Sequence, residues 1–258
     1  MRSFDVIGNI AVLKQERGNR KRAERILKQN KNIRAVVEKT ERVKGRLRTL
    51  KTKYLAGEKT KEALHKENGC VFRLNIDTCY FSPRLASERA RIAEKIKKIK
   101  DIRKKDVLVM FAGVGPFPVV ISKIARPRKV ISIELGRECC KYAAMNVKLN
   151  KLNNIEIMQG DVKKIIPKLK KQGQMFSIIV MPRPQLKDTF LKEAFSVSKK
   201  GAIISYYDFC KEDKVSGMLE KIKNEAKKAK KKVRILSVKK AGDIAPYKYR
   251  YCIEMKVA

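Results

Sequence analysis

The sequence predicts an α/β protein: an open, doubly wound sheet of seven strands with the last one antiparallel, preceded by a small α+β module over residues 1–80. Three observations carry this expectation. From Asp106 onward short apolar runs alternate with helical stretches, the first run leads into a Gly113-x-Gly115 turn, and the last two runs stand too close for a helix to fit between them. The sheet and its helices are expected to occupy residues 81–258.

In the front part, residues 4–13 read as a strand, 20–29 as a basic helix, and 33–39 and 71–77 as further strands. Arg46, Arg48, Lys51 and Lys53 fall between strand-like segments, where long cations can reach a phosphate or a splayed base, or simply face water. Residues 95–105 carry Ile96, Ile99 and Ile102 at three-residue spacing, which predicts an amphipathic helix with a wet basic face. The strands of the large sheet then follow at 107–111, 130–133, 155–158, 177–181, 202–206, 233–238 and 249–257, with the basic run 226–234 as a helix tail entering the sixth. Gly242 and Pro246 suit the turn between the last two. Helical crossovers followed by a terminal antiparallel hairpin fit the Rossmann-like class I arrangement of S-adenosyl-L-methionine-dependent methyltransferases better than the dinucleotide-binding one.

The glycine turn supports a nucleotide cofactor. Phe111, Gly113, Val114 and Gly115 end the first strand and open a helix, so backbone can approach a ligand and the N–H groups of the helix start face it. The second strand ends in Glu134, where a βαβ cofactor fold places a carboxylate for ribose hydroxyls. The third leads to Gly160-Asp161, a second carboxylate at the edge where ligands sit in open α/β sheets. Together they suit a nucleoside, with ribose on Glu134 and the adenine amino group on Asp161. The blander reading is that both acids merely cap the helices that follow them.

Composition narrows the partners. In 258 residues, 64 Lys and Arg face 26 Asp and Glu, a formal net charge of +38, which calls for a polyanion and makes nucleic acid the first candidate. No apolar stretch approaches the ~20 residues of a spanning helix, so no membrane partner is expected. Six cysteines form no Cys-x-x-Cys pair and His65 is the only histidine, so no metal is expected, and reduced thiols suit the cytoplasm. Catalysis then rests on Asp, Glu, Arg, Lys or Tyr.

The segment Thr78-Cys-Tyr-Phe-Ser-Pro-Arg-Leu-Ala-Ser-Glu-Arg89 resembles the linker of the tRNA (guanine-N1)-methyltransferases that modify the guanosine 3′ of the anticodon in archaea and eukaryotes. The likeness extends to Phe4-Asp-Val-Ile-Gly8, His65-Lys-Glu-Asn-Gly-Cys70, the 111–117 loop and Ala245-Pro-Tyr-Lys-Tyr249, and so covers nearly the whole chain. It implies an enzyme that moves a methyl group from S-adenosyl-L-methionine to N1 of that guanosine in tRNA; a cytoplasmic monomer is expected. It places Glu88 on the family's general base and Arg48 on the arginine that supports it. Phe111, Gly113, Val114, Gly115, Glu134 and Asp161 would hold the cofactor; Arg84, Pro182, Arg183 and Pro184 would face the substrate; Tyr80 and Pro83 would shape the linker. The chemistry agrees, because guanine N1 becomes a nucleophile only as its proton leaves and charge builds on O6, which needs a carboxylate and a cation.

Two positions depart from the family. Val109 stands where members carry an acid that helps hold the methionine ammonium, and Pro182-Arg183-Pro184 replaces Asn-Leu-Pro, so an Asn amide facing base and methyl donor is missing. Pro182 offers only a carbonyl, while Arg183 could meet phosphate or base. These departures leave three alternatives open: transfer of the cofactor's aminocarboxypropyl arm in the wybutosine pathway, methylation of a wyosine precursor, or a tRNA-binding protein whose site has decayed. Many members also carry an extra N-terminal domain that grips the tRNA outer corner. This chain is expected to begin at the catalytic module and to lean on its charge, so binding should be unusually salt-sensitive.

Overall fold

The computed structural model describes residues 4–41 and 49–258, so Arg46 and Arg48, including the arginine paired with Glu88 by resemblance, lie outside the described residues. The front module contains β1 (Asp5–Ile7), β2 (Ile10–Leu13), α1 (Asn19–Gln29), β3 (Ala35–Lys39) and β4 (Thr52–Gly57), forming a sheet in the order β1-β2-β3-β4. The single strand expected over 4–13 is instead an antiparallel hairpin with Val6 opposite Ala11. Its turn is made by Gly8 at φ 58, where a Cβ would collide with the Leu64 carbonyl. Lys53 lies in β4 and not in a loop, because Thr52, Tyr54 and Ala56 pair with β3 at the sheet edge. Next comes the hairpin of β5 (Glu62–Glu67) and β6 (Cys70–Asn75). The largely polar Glu-Ala-Leu-His-Lys-Glu of β5 carries no strand signal in the sequence.

The helix expected over 95–105 is also corrected. Helix α2 (Ala86–Lys97) covers only its first three residues, then Asp101 adopts a left-handed φ of 55 and a short 3₁₀ turn, Ile102–Lys104, follows. Ile96 and Ile102 are nevertheless buried, so the apolar spacing located the contacts but not the backbone.

The large sheet contains all seven expected strands: β7 (Asp106–Met110), β8 (Lys129–Glu134), β9 (Ile155–Gln159), β10 (Phe176–Met181), β11 (Ser198–Lys211), β12 (Val233–Ala245) and β13 (Lys248–Val257). Helices α3 (Pro116–Ala125), α4 (Arg137–Leu149), α5 (Val162–Lys171), α6 (Leu191–Ser196) and α7 (Val215–Lys228) connect them. The order is β12-β13-β11-β10-β7-β8-β9, parallel except that β13 runs antiparallel to both β11 and β12. Gly242 sits at an irregularity within β12 and not in the terminal turn, which is Pro246-Tyr247 alone.

Alternating residues feed two cores, as a sheet covered on both faces requires. Val107, Val109 and Val130 face α2 and α3, while Leu108, Met110 and Ile131 face the α5–α7 side. The first core also takes in Ile10 and Val12 of the module and Phe72 and Leu74 of the β5–β6 hairpin, so apolar packing runs without a break from the front module into the sheet. Val109 is fully buried in it.

Candidate active site

The site grows from three neighbouring strand ends. After β7 the chain passes through Phe111 (φ 63), Gly113 (φ 58) and Gly115 (φ 85), three left-handed residues that turn it sharply into α3. Glycine takes this region freely and Phe111 does not, so packing must hold Phe111; its ring meets Phe190 edge-on at 4.9 Å. Pro116 then opens α3 at a position where no N–H is needed.

Glu134 at the end of β8 organises the turn. Its Oε2 accepts from the Gly113 N–H at 2.8 Å and its Oε1 from the Gly136 N–H at 2.8 Å. Each oxygen keeps a further lone pair, matching in number the two hydroxyls of a ribose. Asp161, after β9, accepts from the Lys163 N–H at 2.9 Å through Oδ1 and so caps α5 while also lining the same pocket. Gly113 and Gly160 form the backbone wall of this pocket, and Phe111, Leu135 and Val162 give it apolar sides. Tyr80 and Cys139 close the side toward the linker, and Pro182, Pro184 and Leu186 border it beyond β10. Carboxylates on apolar walls beside a glycine turn fit the adenosine part of S-adenosyl-L-methionine.

Sequence reasoning missed Leu135, Val162, Cys139 and Leu186. The first two directly follow the two acids, and that adjacency was the available signal. Val114 and Gly115, expected to touch cofactor, are not among the residues lining the pocket. Val114 is fully buried and its carbonyl accepts from Asn146 Nδ2 at 2.9 Å, and Gly115 faces Ala143, where a Cβ would stand 3.5 Å from that side chain.

The structure does not bring Glu88, Arg84 or Arg183 into the pocket wall. Glu88 is buried in the first turn of α2, accepting from Arg91 Nε at Oε2 (2.7 Å) and from Arg91 Nη2 and the Tyr207 hydroxyl at Oε1 (2.7 and 2.6 Å). Arg91 also pairs with Glu254, and these two acids raise its pKa. Tyr207, whose own pKa is pushed well up by burial and then by Cys252 and Glu88, packs its ring 5.8 Å from Phe117 at the start of α3. Through Tyr207, Glu88 is thus connected to the start of α3. Arg84 is largely exposed and pairs with Asp5 of β1.

Arg183 corrects an expectation directly: it is 2 % exposed and turned inward, away from any phosphate or base. Its Nη1 donates to the carbonyls of Pro184, Leu186 and Asp188, its Nε to the Tyr206 hydroxyl, and its Nη2 pairs with Asp208. A guanidinium in a buried pocket must satisfy its donors, and here they staple the loop after β10. Among the described residues no helix is long and apolar enough to cross a membrane, and no cluster of His, Cys, Asp and Glu is arranged to hold a metal.

Residues 63–236 match the TRM5/TYW2 methyltransferase domain, and residues 1–60 match the TYW2 N-terminal domain. The chain is 35% identical to the tRNA (guanine(37)-N(1))-methyltransferase Trm5b of Pyrococcus abyssi, covering 99% of this chain and 75% of that protein. It is 32% identical to the tRNA (guanine(37)-N(1))/4-demethylwyosine(37)-methyltransferase Taw22 of Nanoarchaeum equitans, covering 98% of this chain and 99% of that one. In three dimensions it superposes on the crystal structure of Pyrococcus abyssi Trm5b with a TM-score of 0.85 at 33% identity, over 99% of this chain and 75% of the other. Methanocaldococcus jannaschii Trm5 in complex with adenosine gives a TM-score of 0.80 at 28% identity, over 99% and 74%. With its glycine turn, its two strand-end acids and this breadth of similarity, the chain belongs to the TRM5/TYW2 methyltransferase family.

Proposed function

We propose that the protein is an S-adenosyl-L-methionine-dependent tRNA methyltransferase that methylates N1 of the guanosine 3′ of the anticodon, acting as a cytoplasmic monomer. The observation that carries this is the convergence of Gly113, Glu134 and Asp161 on one pocket bordered by Pro182 and Pro184, in a chain of net charge +38. The cofactor, when bound, supplies an electrophilic methyl on a sulfonium. Glu134 accepts from ribose hydroxyls, Asp161 accepts from the adenine amino group, and Leu135 and Val162 enclose the adenine while excluding water.

Residues 1–80 form the proposed RNA-facing module and 81–258 the methyl-transfer domain. Glu88 is the proposed base for the N1 proton. A carboxylate has about four lone pairs, and the Arg91 and Tyr207 donors leave one on Oε2. Because Glu88 is not part of the pocket wall, the linker from Tyr80 to Glu88 has to shift to present that oxygen. Arg48 is proposed to steady the charge that builds on O6. Where the family has its Asn amide, Pro182 lines the pocket and offers only a main-chain carbonyl.

The test is mass mapping of an unmodified tRNA transcript after incubation with protein and cofactor. One methyl group on N1 of that guanosine is expected; an aminocarboxypropyl addition, or no product beside tight tRNA binding, overturns the reading. A second substrate is favoured by the match of residues 1–60 to the TYW2 N-terminal domain and by the likeness to a Taw22 named for 4-demethylwyosine methylation. The same assay on tRNA carrying 4-demethylwyosine decides it.

A further inference from the structure

The C-terminal hairpin is longer than the sheet needs. Strand β10 ends at Met181 opposite Tyr206, yet β11 continues to Lys211, paired throughout with β13 down to Lys248. Five further residues at roughly 3.3 Å each carry the arm about 16 Å past the strand end that leads to Pro182. The arm thus stands at the edge of the sheet where the cofactor pocket opens. It also leans on the linker: a Cβ at Gly242 in β12 would lie 3.9 Å from Leu85 Cδ2, between the pocket residue Tyr80 and Glu88.

At the tip Ala245 pairs with Lys248, so Pro246 and Tyr247 are the two central turn residues. Proline followed by a left-handed residue is the pattern of a type II turn, whose second central position is ordinarily Gly or Asn. Here it is Tyr247 at φ 58, a conformation unfavourable for a bulky L side chain. That side chain gains nothing from burial, being 76 % exposed, while its carbonyl is tied down by the Glu212 N–H at 3.2 Å. The fold places an aromatic ring in water at a backbone position where glycine would be easier. Strain of this kind, kept without a packing return, points to a function.

We infer that Tyr247 is a stacking platform for an unpaired base of the RNA substrate, beside the target nucleotide. The inference rests on the tRNA reading above and adds a contact residue to it. Stacking is the chemistry this position offers, because the tip residue itself is an uncharged aromatic ring, and the nearby Lys240 is already paired with Glu212 at 2.7 Å. An aromatic face accepts any base and needs no phosphate contact.

The experiment measures tRNA binding at several salt concentrations for the wild type and for Tyr247→Phe, Tyr247→Ala and Tyr247→Gly, with thermal unfolding alongside. Loss of one stacked base weakens binding about five- to hundredfold, so Tyr247→Ala and Tyr247→Gly should fall by that much while Tyr247→Phe stays within about twofold. The plots of log affinity against log salt should remain parallel, because no phosphate contact is removed. Tyr247→Gly should unfold at a temperature no lower than the wild type, which separates lost binding from lost structure. Wild-type affinity in Tyr247→Ala, or a changed salt slope, overturns the stacking role alone. A wild-type protein that binds no tRNA removes the functional reading and this inference with it.

Discussion

The side-chain amide of Asn146 behaves as a piece of β-strand toward Arg73: its Oδ1 accepts from the Arg73 N–H at 2.7 Å and its Nδ2 donates to the Arg73 carbonyl at 3.1 Å. One helical turn later Asn150 repeats the pattern on Val71, at 2.9 and 2.7 Å. The geometry works because four helical residues rise about 6 Å, close to the ~6.6 Å spanned by two strand residues. Helix α4 thereby completes the open edge of β6. Asn146 also reaches the Val114 carbonyl, so a single amide joins the β5–β6 hairpin to the cofactor turn.

Asn146 is fully buried, so Asn146→Ala leaves one N–H and two carbonyls unpaired away from water. At about 1–3 kcal/mol per stranded group, partly relieved by relaxation, a loss of about 2–4 kcal/mol is expected. Cofactor affinity should fall as well, because Val114 loses its anchor. Asn150→Ala makes the control: comparable destabilisation by urea unfolding, with cofactor binding unchanged by calorimetry.

Glu88→Gln should lower single-turnover methylation about 10²–10⁴-fold, the range for one positioned base, with cofactor affinity unaltered. Arg91 keeps Glu254 as partner, so the variant should stay folded. Ordinary turnover in Glu88→Gln would remove it as the base and leave it a structural partner of Arg91 and Tyr207.

Arg183→Met should free the loop after β10 and strand Asp208. Breaking a buried pair from one side costs about 3–5 kcal/mol; Asp208 keeps 16% of its side chain exposed, so the lower end is expected. Limited proteolysis should cut between Pro184 and Asp188 in the variant and not in the wild type. Adding Asp208→Asn should restore part of the stability.

Acid should destabilise the protein through two carboxylates. Burial opposes ionisation of Glu67, but hydrogen bonds from His65 and Arg89 outweigh it and hold its pKa below the ordinary 4.5. Glu254 is likewise disfavoured by burial and then held low by Lys95 and Arg91. A depressed carboxyl stabilises the fold above its unfolded value and stops doing so as pH falls through the folded one. The urea midpoint should therefore hold level at pH values above 4.5 and fall below it, with a shallower acid limb in Glu67→Gln.

The sequence alone determined the seven strands of the large sheet, the glycine turn and the two acids after β8 and β9, because each depends on local chemistry: runs of apolar residues, freedom at φ > 0, and a carboxylate one step past a strand. Tertiary structure alone decided what the other polar side chains do. Arg183 turned inward because its five donors met carbonyls of the loop, Tyr206 and Asp208 once the chain had packed, and nothing in Pro-Arg-Pro foretells that. Glu88 found Tyr207, 119 residues away, and β5 became a strand only because β6 offered it a partner. Such contacts join residues far apart in the chain and are selected by burial, which demands that every polar group find a partner and leaves no periodic trace in the sequence.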